Sequence, residues 1–394
     1  MEQPILTAVI LVLVASVVTL ALFEPLGLPS LVAYLLVGAA VGPYGLAWIP
    51  HTADLHSLAE LGVVLLLFTV GLEFSLARLW TLRKQVFGLG GAQVAVTATV
   101  AAVLAWAIAG ITPGAAFVLG GALALSSTAV VTRELSRRGE LGGLHGRLSV
   151  AVLIFQDLAV VPFLILIPVL GAGTDETGWR AIGWALVQGA IVVAAMILAG
   201  RWVLRPVFRS VAAFGSAELF TLAALLFALA AAWVTAFAGL SRALGAFLAG
   251  ALLGETEYRQ RLAAEIRPFR DVLLGFFFVV IGMMLDLPAV LRWLPWILLA
   301  LVLLLVLKTL TMTGLGRLLG VPRGTAMQAG ILLSQGGEFG LVLVTLAAAE
   351  GLLVESALQV VLATIILSIA LTPLLVASAE PLAQAICFPG AKRN

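Results

Sequence analysis

Thirteen times along this chain an apolar run, in most cases long enough to cross a bilayer, is closed off by turn residues or charge. The runs lie at residues 5–23, 29–47, 57–77, 86–109, 114–135, 148–170, 180–203, 217–237, 241–254, 269–287, 293–315, 325–348 and 356–379. A hydrocarbon core of about 30 Å takes roughly 20 helical residues at about 1.5 Å each. Runs of that length read as membrane-spanning helices. The expected fold class is therefore an all-α polytopic membrane protein with 13 transmembrane helices. Composition agrees: 62% of residues are hydrophobic and 11% charged, against about 45–50% and about 25% in soluble domains. A water-soluble enzyme is excluded. No basic cluster precedes the first run, so 5–23 is expected to span rather than to be removed as a signal.

The charges give an orientation. With the N-terminus outside, the inside segments hold 18 basic residues, among them Arg133, Arg137, Arg138 and Arg147, whereas the outside segments hold only Arg180, Arg242 and Arg292. That asymmetry is a positive-inside bias, and it would collapse if the count of crossings were even. The expectation is a multi-pass membrane protein, N-terminus outside and C-terminus cytoplasmic, with lipid as its surroundings. The formal net charge of +2 indicates no nucleic-acid partner. Cys387, the only cysteine, allows no internal disulfide and no cysteine-based metal site.

The chain also resembles itself. Val70-Gly71-Leu72-Glu73 aligns with Ile281-Gly282-Met283-Met284 at an offset of 211 residues, Gly38 and Gly42 with Gly250 and Gly254 at 212, Ala124-Leu125-Ser126 with Leu332-Leu333-Ser334 at 208, and Pro162 with Pro373 at 211. Residues 1–394 then form a single transmembrane domain of two six-helix repeats, about 5–170 and 217–380, joined by a linker helix at about 180–203. Equivalent helices are seven crossings apart and point in opposite directions. Inverted repeats of this kind characterise secondary transporters. The glycine-spaced faces at Gly38/Gly42 and Gly250/Gly254 suit helix packing either inside one protomer or between two.

An ionisable group at the bilayer centre costs at least about 2.5–3.5 kcal/mol, so those that occur there are functional candidates. Asp157 lies ten residues beyond Arg147, about 15 Å along a helix and hence near the midplane. Lys308 lies nine residues before Arg317, about 14 Å deep by the same rise. Glu338 follows Ser334-Gln335-Gly336-Gly337; it could serve the site or simply cap the amides of a broken helix. Glu73, close to Arg78, is expected at the inner surface and is at most an accessory residue. Ser126-Ser127-Thr128 and Ser334 to Gly337 interrupt equivalent spans at corresponding points. Polar breaks so placed mark a transport site, where hydroxyls and unwound carbonyls offer oxygen ligands to a cation.

The run GGALALSSTAVVTREL (120–135), FQDLAVVP (155–162), GETEYR (254–259), PFRDVLLGFFFVVIGMMLDL (268–287) and LLSQGGEFGLVL (332–343) resembles the cation:proton antiporter-2 family, nearest to the membrane domain of bacterial glutathione-regulated (Kef-type) potassium efflux antiporters. The resemblance implies the NhaA/NapA-like antiporter fold, with crossing discontinuous helices at 114–135 and 325–348, and a homodimer. It implies that Asp157 binds the ion and that Gln156 stands where electrogenic relatives carry a second aspartate. It also implies that Lys308 pairs with Asp157 when no cation is bound. Kef-type proteins continue into a nucleotide-binding regulatory domain; no G-x-G-x-x-G fingerprint occurs here. Such regulation is expected from a domain or subunit outside these residues, and no cofactor is expected within them. Where gated relatives carry an acidic stretch after GETEYR, this chain has Arg259, Arg261, Arg267 and Arg270.

These readings converge on a potassium:proton antiporter in which H+ and K+ compete at Asp157, with Gln156, Ser126, Ser127, Thr128, Ser334 and Gln335 around the ion. One carboxylate exchanging one proton for one monovalent cation moves no net charge, so the cycle is expected to be electroneutral. Sodium:proton exchange is the alternative, and a gated potassium channel is one of another class. An intramembrane hydrolase is disfavoured, because no H-E-x-x-H motif occurs and His51, His56 and His145 fall in loops.

Overall fold

The structure is a computed structural model and describes residues 4–25, 27–49, 53–74, 76–171 and 178–387. Among them the regular elements are helices, with no strands. Seven helices among the described residues are long and apolar enough to cross a membrane: Leu6–Phe23, Leu55–Glu73, Lys84–Ala109, Pro113–Arg137, Leu144–Gly171, Ala217–Phe237 and Leu294–Leu318. An eighth is added if Glu355–Ala370 and Thr372–Cys387, bent by 61°, make one crossing. The structure therefore does not confirm the count of thirteen by length and composition. The difference has visible causes. Ser30–Val41, Arg242–Gly254 and Glu338–Ala349 are too short, and the run expected at 269–287 is the apolar end of Arg259–Met283, whose first half carries Arg259, Arg261, Glu265, Arg267, Arg270 and Asp271.

The chain divides into two compact units. The first comprises 1–15, 40–81 and 161–284. In it Ala53–Glu73 packs against Arg242–Gly254 and Arg259–Met283. A Cβ at Gly71 would strike the Phe247 carbonyl, one at Gly250 the Phe68 carbonyl and one at Gly62 the Leu273 carbonyl. Missing side chains let these backbones touch, as glycine-lined membrane helices do. Gly250 and Gly254 thus spend their face inside the chain, on the backbone of residues 68–74.

The second unit comprises 16–39, 82–160 and 285–394 and holds both helix interruptions. Gly91–Ala109 packs against Pro113–Ala124, and Leu294–Leu318 against Arg323–Leu332 and Glu355–Ala370. An apolar core of Val131, Leu135, Val152, Leu153, Met312 and Leu332, all buried, surrounds the site.

Candidate ion-binding site

The span 114–135 is two half-helices, Pro113–Ala124 and Thr128–Arg137, with Leu125 and Ser127 extended between them. The span 325–348 is Arg323–Leu332 and Glu338–Ala349, with Gly337 extended at φ −136° and ψ 168°. The two interruptions touch. Ser127 N–H donates to Gly336 O at 3.2 Å, and a Cβ on Gly337 would sit 2.6 Å from the Ser126 carbonyl carbon. Only a glycine there lets the second chain pass the first.

Breaking a helix at this depth strands backbone donors and acceptors that lipid cannot satisfy. Nearly all find partners from other helices. Lys308, on Leu294–Leu318, is 1% exposed. Its ammonium donates to Leu125 O at 2.7 Å, Gln335 O at 2.7 Å and Ser126 Oγ at 2.9 Å. Ser126 Oγ in turn donates to Leu333 O at 2.8 Å. Glu338 caps the opposite ends, as its carboxylate accepts from the Ser127 hydroxyl and the amides of Ala129 and Glu338 itself. A lysine thus lies where the half-helices leave carbonyls, and a glutamate where they leave amides, matching donors and acceptors to those helix ends.

The geometry seats Lys308 Nζ on oxygens of the two breaks; its pairing with Asp157 in the cation-free state belongs to the proposal below. An ammonium has three donors, and the breaks' oxygens take all three. Carbonyls orphaned by two broken helices are acceptors that a broken-helix motif in the sequence does not display.

Asp157 and Gln156 are neighbours on Leu144–Gly171, yet they part company, because successive helical residues point about 100° apart. Gln156 is 1% exposed and faces the first break, accepting from Ser126 N–H at 2.7 Å. Asp157 is only partly buried, and Thr128 Oγ1 donates to its Oδ1 at 2.9 Å. Thr128 is the first residue of its half-helix, so the carboxylate stands at that helix's positive end. Gln335 Oε1 accepts from Ser127 N–H at 3.1 Å, and Ser334 Oγ donates to Ile331 O at 2.8 Å. These side chains brace the breaks. Glu73 is in the first unit, exposed at the end of its helix, where its carbonyl receives Arg259 at 2.8 Å.

Gln93 and Ser368 escaped the sequence reading. Gln93 is 1% exposed on Gly91–Ala109 and bonds both Ala124 O and Gln156. Ser368 Oγ accepts from Gly336 N–H at 2.9 Å. The available signal was an amide in the otherwise apolar stretch 91–109. No group of three or more His, Cys, Asp or Glu side chains able to hold a metal ion occurs among the described residues, so a cation here would meet one carboxylate plus neutral oxygens.

Residues 12–377 match the family model described as "Sodium/hydrogen exchanger, transmembrane". The chain belongs to the sodium/hydrogen exchanger family. Within this exchanger family it falls with the Kef-type, cation:proton antiporter-2 members. It is 43% identical over 356 residues to "Putative K(+) efflux antiporter KefB" of Alkalimonas amylolytica, covering 90% of this chain and 54% of that one. It is 42% identical over 391 residues to "K(+) efflux antiporter 2, chloroplastic" of Arabidopsis thaliana, covering 97% and 33%. The chain thus spans about half the length of the bacterial relative and about a third of the chloroplast one. Among solved structures it shares the fold of the sodium proton antiporter MjNhaP1 of Methanocaldococcus jannaschii, with a TM-score of 0.75 at 16% identity over 96% of this chain and 97% of that one. Exchangers are transporters, not enzymes, and this one is a multi-pass membrane protein.

Proposed function

We propose that this exchanger swaps potassium for protons by alternating access, with both ions competing for Asp157. The observation that carries the reading is the pairing of a midspan carboxylate with the positive start of a broken helix through Thr128. Asp157 and Thr128 are the partly open members of a group that is otherwise buried, so the Asp157 carboxylate is the charged group an ion reaches. Protonated, it is neutral; ionised, it holds a cation or, in the cation-free state, pairs with Lys308. One site that is occupied by one or the other couples the two fluxes without a further device. Gln156 adds no second charge, so one-for-one exchange is electroneutral. Ser126, Ser127, Gln156, Ser334 and Gln335 hold the two interruptions in shape, and Thr128 is the neighbouring oxygen at Asp157. Potassium is preferred because relatives 43% and 42% identical to this chain are named for its efflux. Sodium exchange is the second reading, favoured by the description of the family model.

The finer architecture belongs to the same proposal. Thirteen crossings arranged as inverted repeats at 5–170 and 217–380 put the N-terminus outside and the C-terminus in the cytoplasm of a bacterial inner membrane, the side on which the basic residues cluster. Homodimerisation and a regulatory nucleotide-binding domain or subunit outside these residues complete it. Proteoliposomes holding a pH dye, challenged in turn with potassium, sodium and lithium, test the exchange. Asp157→Asn should abolish it while the protein still elutes as a folded species. Full exchange in that variant would sink the site assignment, and flux that a pH gradient cannot drive uphill would indicate a channel.

A further inference from the structure

Two glutamine side chains stitch the first break by a route in which every direction is chemically forced. Ala124 O can only accept, and it receives Gln93 Nε2 at 3.3 Å; the same nitrogen also donates to Thr97 Oγ1 at 3.2 Å. With its nitrogen so used, Gln93 turns its oxygen to Gln156 Nε2 at 2.8 Å. Gln156 must then present its own oxygen to Ser126 N–H, which can only donate, at 2.7 Å. The chain of amides runs from an orphan carbonyl to an orphan amide across the gap, replacing helical bonds that the break removes. Reversing either glutamine would set oxygen against oxygen or N–H against N–H inside a site where water cannot repair it.

We propose that Gln93 is a positioning residue for the exchange: by fixing the direction of the Gln156 amide it keeps the oxygen of Gln156 on Ser126 and out of the ion's coordination. This rests on the reading of Asp157 as the ion site. Gln93 itself touches no ion. It also dictates what position 156 can hold. An ionised carboxylate there would face the Gln93 oxygen without a proton to offer it, so Gln93 selects an amide and thereby a single-carboxylate site.

The test measures potassium-dependent proton exchange in proteoliposomes for the full chain, Gln93→Leu, Gln156→Leu and the double variant. In Gln93→Leu the Gln156 amide loses its fixed direction, and KM for potassium should rise about tenfold, the scale on which partners of a ligand's neighbour act, while kcat changes little. Because Gln93 works through Gln156, the double variant should be no worse than Gln156→Leu alone. An unchanged KM with a lowered kcat or a lowered yield would mean mere packing and would overturn the proposal, as would additive effects. Gln93→Glu decides the matter if Gln93→Leu does not fold. Its protonated carboxyl can donate to Ala124 O and accept from Gln156, so KM relative to the parent should be near normal at acid pH and raised at alkaline pH; a parental KM throughout overturns the inference. If the parent itself shows no potassium-driven proton movement, it is the function that fails, and not the role of Gln93.

Discussion

The two helix interruptions solve the same problem differently. The first, at Leu125 to Ser127, is satisfied from outside: Gln93, Gln156, Gln335 and Lys308 reach in from four other segments and bond its stranded groups. The second, at Leu333 to Gly337, is held by Lys308, Ser126, Ser127 and Ser368, and it keeps two buried polar atoms without partners among the described residues, Gln335 Nε2 and Glu338 Oε2. An unmade bond on a buried donor or acceptor costs about 1–3 kcal/mol. The first break is therefore over-determined, and the second carries groups whose bonding improves if it rearranges. In the proposed alternating-access cycle, the second break is the place where switching is least opposed.

That comparison can be broken most sharply at Lys308, whose Nζ bonds a backbone carbonyl in each break. Lys308→Met should strand Leu125 O and Gln335 O together and lower stability by about 2–5 kcal/mol, since each buried acceptor left without its donor costs about 1–3 kcal/mol. Thermal unfolding in detergent reads it, and a melting temperature equal to the parent's would mean that the carbonyls have other partners. Glu338→Gln should cost less, about 1 kcal/mol, the usual worth of a charge at a helix end. The side chain keeps its size, and one of its oxygens is already unpartnered. A Glu338 variant less stable than the Lys308 variant would reverse the assignment of the second break as the looser one.

What was legible in the sequence were departures from apolarity. Ser126-Ser127-Thr128 and Ser334 to Gly337 stand out because nothing polar is needed in a lipid-facing helix, and Asp157 and Lys308 stand out by depth from the nearest inside arginine. Partnership was not legible. Lys308 lies on oxygens of both breaks, and a sequence displays side-chain charges but not the backbone carbonyls that appear once a helix is broken. Gln93 was overlooked because a lone amide carries no charge, and its meaning comes from residues 31 and 63 positions away in the chain. The count of crossings is not legible from hydropathy alone for a related reason: hydropathy joins half-helices and cannot tell a short helix from a full one.

The smallest effect separates the breaks at single-bond resolution. Ser368 lies on Glu355–Ala370 and contributes one acceptor to the second break, the oxygen that receives Gly336 N–H at 2.9 Å while donating to Ile365 O at 2.7 Å. Ser368→Ala removes that oxygen and almost no volume, leaving one buried amide to find another partner, a loss of about 1 kcal/mol. Because the neighbouring groups of the second break are themselves incompletely bonded, Gly336 is freer to shift than Ser126 would be in the first. Amide hydrogen exchange at residues 335–338 should therefore quicken in Ser368→Ala, while exchange at 125–128, anchored from four segments, stays at the parental rate. Equal acceleration at both would mean that the breaks move as one body and that the difference in their bonding has no dynamic consequence.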